Sequence, residues 1–178
     1  MSPSSILVTT SAIVAIILVL HGADATVVTT CKAAAESDKR VDYDFCVLEL
    51  GKHHESPDAD IWGLAKVAAL VGAANTGNVL VEIRARLAKP GTDAKTTTVL
   101  RQCLKLYDAA DDAFLNAYER INDRNYAAGK EELGLAAPLA LRCDDAFTKV
   151  ASPSPLNQSS TYTTKISIVC IAITNLIK

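Results

Sequence analysis

The sequence predicts an all-α protein: an up-down-up-down four-helix bundle preceded by an N-terminal helical hairpin and braced by two disulfides. Three observations predict it. Apolar residues recur at steps of three and four over four long stretches, breaks rich in Pro, Gly, Asn and Asp separate those stretches, and four of the five cysteines sit symmetrically about two polar turns. Strand-like alternation is nearly absent, as is any internal repeat.

At the N-terminus, Ile13 to Leu20 is an unbroken apolar run, too short for a comfortable bilayer span, and the small-residue triplet Ala23-Asp24-Ala25 follows it. Residues 1–25 are therefore expected to be a signal peptide cleaved after Ala25. Residues 26–178 remain as one domain, with a hairpin over 26–51 and a bundle over 56–178. In the hairpin, Val28, Cys31 and Ala35 precede a polar turn at Ser37 to Arg40, and Phe45, Cys46, Leu48 and Leu50 follow it, with Gly51 as the C-terminal cap.

Ser56-Pro57-Asp58 reads as an N-cap with proline at the first helical position, and Lys89-Pro90-Gly91 as a stop. The helix between them carries Ile61, Leu64, Ala68, Val71, Val79, Ile83 and Leu87 as its stripe, with Gly72 and Gly77 expected to loosen and curve it. After Thr92 a cleaner stripe runs through Val99, Cys103, Leu106, Ala110, Phe114, Ala117 and Ile121. The break Asn122-Asp123-Arg124-Asn125 ends it. The next stripe runs from Tyr126 through Leu133, Ala136, Ala140, Cys143 and Phe147, with Pro138 expected to kink or loosen the helix. A Ser- and Pro-rich loop from Ala151 to Ser160 leads to the last stripe, Ile166, Val169, Cys170, Ile173 and Ile177. Thr174, Asn175 and Lys178 interrupt that run, which fits a core helix better than a lipid-anchor signal.

Five cysteines in an exported chain allow fifteen schemes of two bridges and one odd thiol. Both arms of a helical hairpin rise about 1.5 Å per residue, so residues equally distant from the turn lie level. Cys31 and Cys46 centre on the Ser37–Arg40 turn, and Cys103 and Cys143 centre on the Asn122–Asn125 turn. Each pair can meet, which leaves Cys170 as a buried, inert thiol on an apolar face.

Loss of residues 1–25 removes Asp24 and no Lys or Arg, leaving 18 basic and 19 acidic side chains, so nothing marks the chain for nucleic acid. Only two histidines remain, the adjacent His53 and His54, and no Ser, His and Asp series forms a triad. With Glu55 they lack the spacing of two ligands on one helical turn, so neither metal nor cofactor is expected; their protonation near pH 6 would add charge to a solvated loop. The pairs Asp111/Asp112 and Asp144/Asp145 read as solvated faces. Asn157-Gln158-Ser159 is an N-glycosylation sequon in the proline-flanked loop.

In order behind the signal sequence, Cys31, Tyr43-Asp44-Phe45-Cys46, Leu50-Gly51, Cys103 with Leu106-Tyr107-Asp108-Ala109, Tyr126-Ala127, Cys143-Asp144-Asp145-Ala146-Phe147 and Ser154-Pro155-Leu156 resemble the plant invertase and pectin methylesterase inhibitors. The resemblance covers essentially the whole mature chain and runs closest to the invertase-inhibitor subgroup that includes a plane-tree pollen allergen. It implies the same hairpin-plus-bundle fold, with the first two cysteines paired in the hairpin and the next two in the bundle. It also implies a protein that is not an enzyme but covers the active site of pectin methylesterase or acid invertase in a one-to-one complex. Invertase inhibitors insert a Pro-Lys-Phe motif at the turn after the third-cysteine helix. The matching positions are Arg124, Asn125 and Tyr126, preceded by Asp123; the aromatic is kept and the cation stands one place earlier. Asn125-Tyr126 is more similar to the Asp-Tyr pair of pectin methylesterase inhibitors. Tyr126 could equally start the core stripe of its helix.

The expected function is a secreted inhibitor acting in the apoplast or cell wall, or in the vacuole, without membrane attachment after signal cleavage. Two alternatives stand beside it: a carrier holding a small apolar ligand in the bundle core, and an allergen-like structural protein that keeps the fold without inhibiting.

Overall fold

A computed structural model describes residues 22–178, with side chains from Thr26 onward, so the apolar run Ile13 to Leu20 lies outside the described residues. The described residues form six α-helices and no strand: α1 (Gly22–Ser37), α2 (Tyr43–Gly51), α3 (Ile61–Ala88), α4 (Ala94–Asn122), α5 (Tyr126–Lys149) and α6 (Asn157–Asn175). Helix α1 begins before residue 26, so the expected cleavage point falls within its first turns.

Helices α3 to α6 close into a ring in which each packs on its two neighbours, while α1 and α2 pair with each other and lean on α6 and α3. The stripe expected on α4 is buried from Val99 to Ile121, and those of α5 and α6 are buried at Leu133, Ala136, Ala140, Cys143, Phe147, Ile166, Val169, Cys170 and Ile173. These helices form because one face of each is apolar and the ring gives that face somewhere to go.

Several boundaries differ from expectation. The bundle starts at Ile61 rather than at Ser56: residues 56–58 form a 3₁₀ turn, Ala59 is extended, and Asp60 caps α3 by accepting from the Gly63 N–H at 2.8 Å. Ser56 is unavailable as a cap because its buried hydroxyl donates to the Leu50 carbonyl at 2.6 Å, closing the end of α2. Gly51 is the last residue of α2 rather than its cap. Helix α6 begins at Asn157, inside the expected loop, because the side chain of Asp144 accepts from both Ser154 and Ser160 and ties its first turn to α5. Pro138 does not end α5. It and Gly134, whose carbonyl loses its helical donor to the proline, are both exposed.

Gly72 does more than loosen α3. It is buried, and a Cβ there would stand 2.3 Å from Cε1 of Phe114, so the missing side chain is what lets α3 and α4 approach at that level.

The interior has two apolar compartments. One joins the hairpin to Leu64–Ala69, Ala110–Ile121 and Ile166–Ile173; the other holds Val79–Ile83, Val99–Tyr107, Ala140–Phe147 and Leu156. Polar groups lie between them: Thr76 donates to Asp111 at 2.6 Å, and Asn75 donates to Thr163 at 2.9 Å. Asp111 and Asp144, expected on solvated faces, are therefore half-buried acceptors, while Asp112 and Asp145 are exposed. The buried Tyr107 hydroxyl has no well-formed hydrogen bond among the described residues, and burial, followed by the charge of Asp144, pushes its phenol well above the usual range.

Cys31 bonds to Cys46 and Cys103 to Cys143, closing separations of 15 and 40 residues. In the loop-entropy account these contribute about 3 and about 4 kcal/mol respectively. Cys170 is buried with a free thiol, its Sγ 3.3 Å from the Ala65 carbonyl that it donates to, and burial pushes its pKa up.

Candidate partner-binding surface

The turn between α4 and α5 is closed by main-chain bonds. The Arg124 N–H donates to the Ile121 carbonyl at 3.1 Å and the Asn125 N–H to the Arg120 carbonyl at 2.8 Å, while Arg124 itself has φ 61°. This is a Schellman C-terminal motif, in which the left-handed position is usually glycine. An arginine there carries a backbone cost, as does Ala151, at φ 53° in the equivalent turn that ends α5.

The four expected turn residues take different roles. Asp123 is exposed and ends α4, its N–H donating to the Glu119 carbonyl. Asn125 caps α5 by accepting from the Ala128 N–H at 3.3 Å. Tyr126 is half-buried against the core, as its place on the stripe suggested, yet its hydroxyl still reaches outward to accept from Arg124 Nη1 at 3.1 Å. Arg124 is exposed, and its guanidinium carbon lies 4.1 Å from the ring centroid of Trp62.

Sequence reasoning missed Trp62 and its neighbours. The indole Nε1 donates to the Ile121 carbonyl at 2.9 Å, fastening the start of α3 to the end of α4. Lys66, one helical turn on, places its ammonium 3.6 Å from the Trp62 centroid, 5.9 Å from that of Tyr118, and 3.4 Å from the Asn122 amide oxygen. Two cations thus share one aromatic side chain. An open groove of about 410 Å³ runs from Trp62 and Arg124 past Asp60 and Ile61 to Leu176, Ile177 and Lys178. The only sequence signals were an aromatic at the second position of a helix and a lysine four residues later.

The remaining expected residues lie elsewhere. Asn157 is exposed at the start of α6; because successive bundle helices alternate in direction, it stands at the opposite end from Arg124. The His53 and His54 rings stack at 4.7 Å, and His53 Nδ1 accepts from the Glu55 N–H. No group of three His, Cys, Asp or Glu among the described residues converges to hold a metal ion.

Residues 25–173 match the family described as plant invertase/pectin methylesterase inhibitor. Pectinesterase inhibitor 8 of Oryza sativa subsp. japonica is 52% identical over 160 residues, covering 88% of this chain and 86% of the rice protein. Pectinesterase inhibitor 12 from the same plant is 40% identical over 158 residues, covering 88% and 76%. The crystal structure of a mutant form of a pectin methylesterase inhibitor from Arabidopsis superposes with a TM-score of 0.70 at 18% identity, covering 83% of this chain and 97% of that one, which establishes the shared fold.

Proposed function

The chain belongs to the plant invertase/pectin methylesterase inhibitor family, and on that premise we propose that it is a secreted inhibitor that caps the active-site cleft of pectin methylesterase. The observation that carries the reading is the 52% identity, sustained over 88% of the chain, to a protein named for inhibiting pectinesterase. The second similar rice protein bears the same name. Inhibition works by occupancy: the α4–α5 turn is already ordered, so little conformational entropy is lost when it docks. Residues Asp123 to Tyr126 form the part that enters the cleft.

Export follows from cleavage after Ala25, which N-terminal sequencing of the mature protein checks by reading Thr26 first. The sequon at Asn157 is glycosylated, and its place at the far end of the bundle keeps a glycan away from the docking turn. A mass unchanged by glycosidase would contradict that.

Inhibition is tested by titrating purified protein against pectin methylesterase and, in parallel, acid invertase. Pectin methylesterase activity should fall to its floor at one equivalent. Full activity of both enzymes under excess protein refutes the reading; loss of invertase activity alone reassigns the target.

A further inference from the structure

We propose that Trp62, Lys66 and Arg124 form a pre-ordered platform for carboxylates on the face of the target enzyme, carrying the contact from the α4–α5 turn across onto α3. The proposal rests on the inhibitor reading. Its grounds are three observations at one place.

First, the cations are held but not neutralised. Lys66 and Arg124 lie 3.6 and 4.1 Å from the Trp62 centroid, and neither has a carboxylate within 4.0 Å among the described residues. Attraction to an aromatic face orients a cation without cancelling its charge, so the outward field remains for a partner. The nearby Asp60 is engaged as the α3 cap.

Second, the platform is fixed. The indole is bonded to the Ile121 carbonyl, Arg124 to the Tyr126 hydroxyl, and Lys66 to Asn122. Side chains already ordered in the free protein lose less entropy on binding. Third, Arg124 sits at φ 61° in a turn closed by two main-chain bonds, which holds the base of its side chain in place beside Trp62.

Charged groups on such a surface act mainly through association rate and salt dependence. The test compares the wild type with Lys66→Gln, Arg124→Gln, the double substitution and the charge-keeping Lys66→Arg, all checked to be folded at the assay temperature by a cooperative melt. Inhibition should weaken about tenfold in each neutralised variant and recover in Lys66→Arg. Its decline with salt should flatten in the double variant over roughly 0.02 to 0.2 M, where screening shortens. A second arm needs no target. Trp62 is the sole tryptophan, so its emission should change saturably as poly-L-glutamate is added to the wild type and should stay constant in the double variant.

If the wild type inhibits and the double variant inhibits equally well, the platform is refuted while the inhibitor reading stands. If polyglutamate leaves the wild-type emission unchanged, the platform is refuted on its own terms. If the wild type inhibits neither enzyme, the inhibitor reading fails and the docking role falls with it.

Discussion

Replacing Arg124 by glycine and, separately, by alanine divides the cost of the turn from the use of its side chain. Both substitutions remove the guanidinium, its contact with Trp62 at 4.1 Å and its bond to Tyr126, a loss of about 0.5–1 kcal/mol for an exposed cation–aromatic pair. Only alanine keeps a Cβ at φ 61°. A left-handed residue costs roughly 1–2 kcal/mol, and glycine gives back about 0.4–1 kcal/mol of that through the greater freedom of its unfolded chain. Arg124→Gly should therefore be more stable than Arg124→Ala by about 1 kcal/mol, or about 2–4 °C in melting temperature for a domain of this size. Relative to the wild type, alanine should destabilise and glycine should come out near neutral. Inhibition should fall equally in both. Thermal melts paired with inhibition titrations give the two readouts, and an alanine variant as stable as the glycine one would refute the strain argument.

Gly72→Ala should destabilise by about 1–3 kcal/mol, because its methyl would stand 2.3 Å from a buried Phe114 carbon; the urea midpoint should drop, and Phe114→Leu in the same chain should recover part of the loss. Replacing Cys103 and Cys143 together by alanine should cost about 4 kcal/mol for the 40-residue separation, read from denaturant melts. The hairpin docks on α6 through Asp42 with Lys165 at 2.8 Å and Glu49 with the Tyr162 hydroxyl at 2.7 Å. Lys165 and the Phe45 N–H hold the Asp42 carboxyl below its ordinary 3.8; burial alone would raise Glu49, but Lys52 and Tyr162 outweigh it and bring it below 4.5. Carboxylates lowered by folding contribute stability that is complete above those ordinary values and lost as pH falls through the lowered ones. The protection of α2 amides against exchange, taken relative to the intrinsic rate at each pH, should therefore fall below about pH 4, and Asp42→Asn should blunt that dependence.

The bundle was readable because burial leaves a periodic trace. All seven stripe positions on α4, from Val99 to Ile121, are buried, and the symmetric placement of cysteines about two turns anticipates both bridges. What escaped were features set by meetings between helices. Trp62 and Ile121 are 59 residues apart in sequence, and no spacing rule links them. Gly72 looks like a weak point until Phe114 is seen against it. Asp144 looks like one of two surface acids until Ser154 and Ser160 converge on it, and Asp60 becomes the cap of α3 because Ser56 is already committed to Leu50.

The sealed thiol of Cys170 bears on the order in which the molecule matures. Its sulfur is shielded only after α6 has seated against Ala65 on α3. With α6 unseated, that sulfur would be open to the same four partners as any other cysteine, and a cross-link to one of them would hold α6 away from its seat. The seam between α6 and α3 thus keeps the fifth sulfur out of the pairing contest in the folded protein.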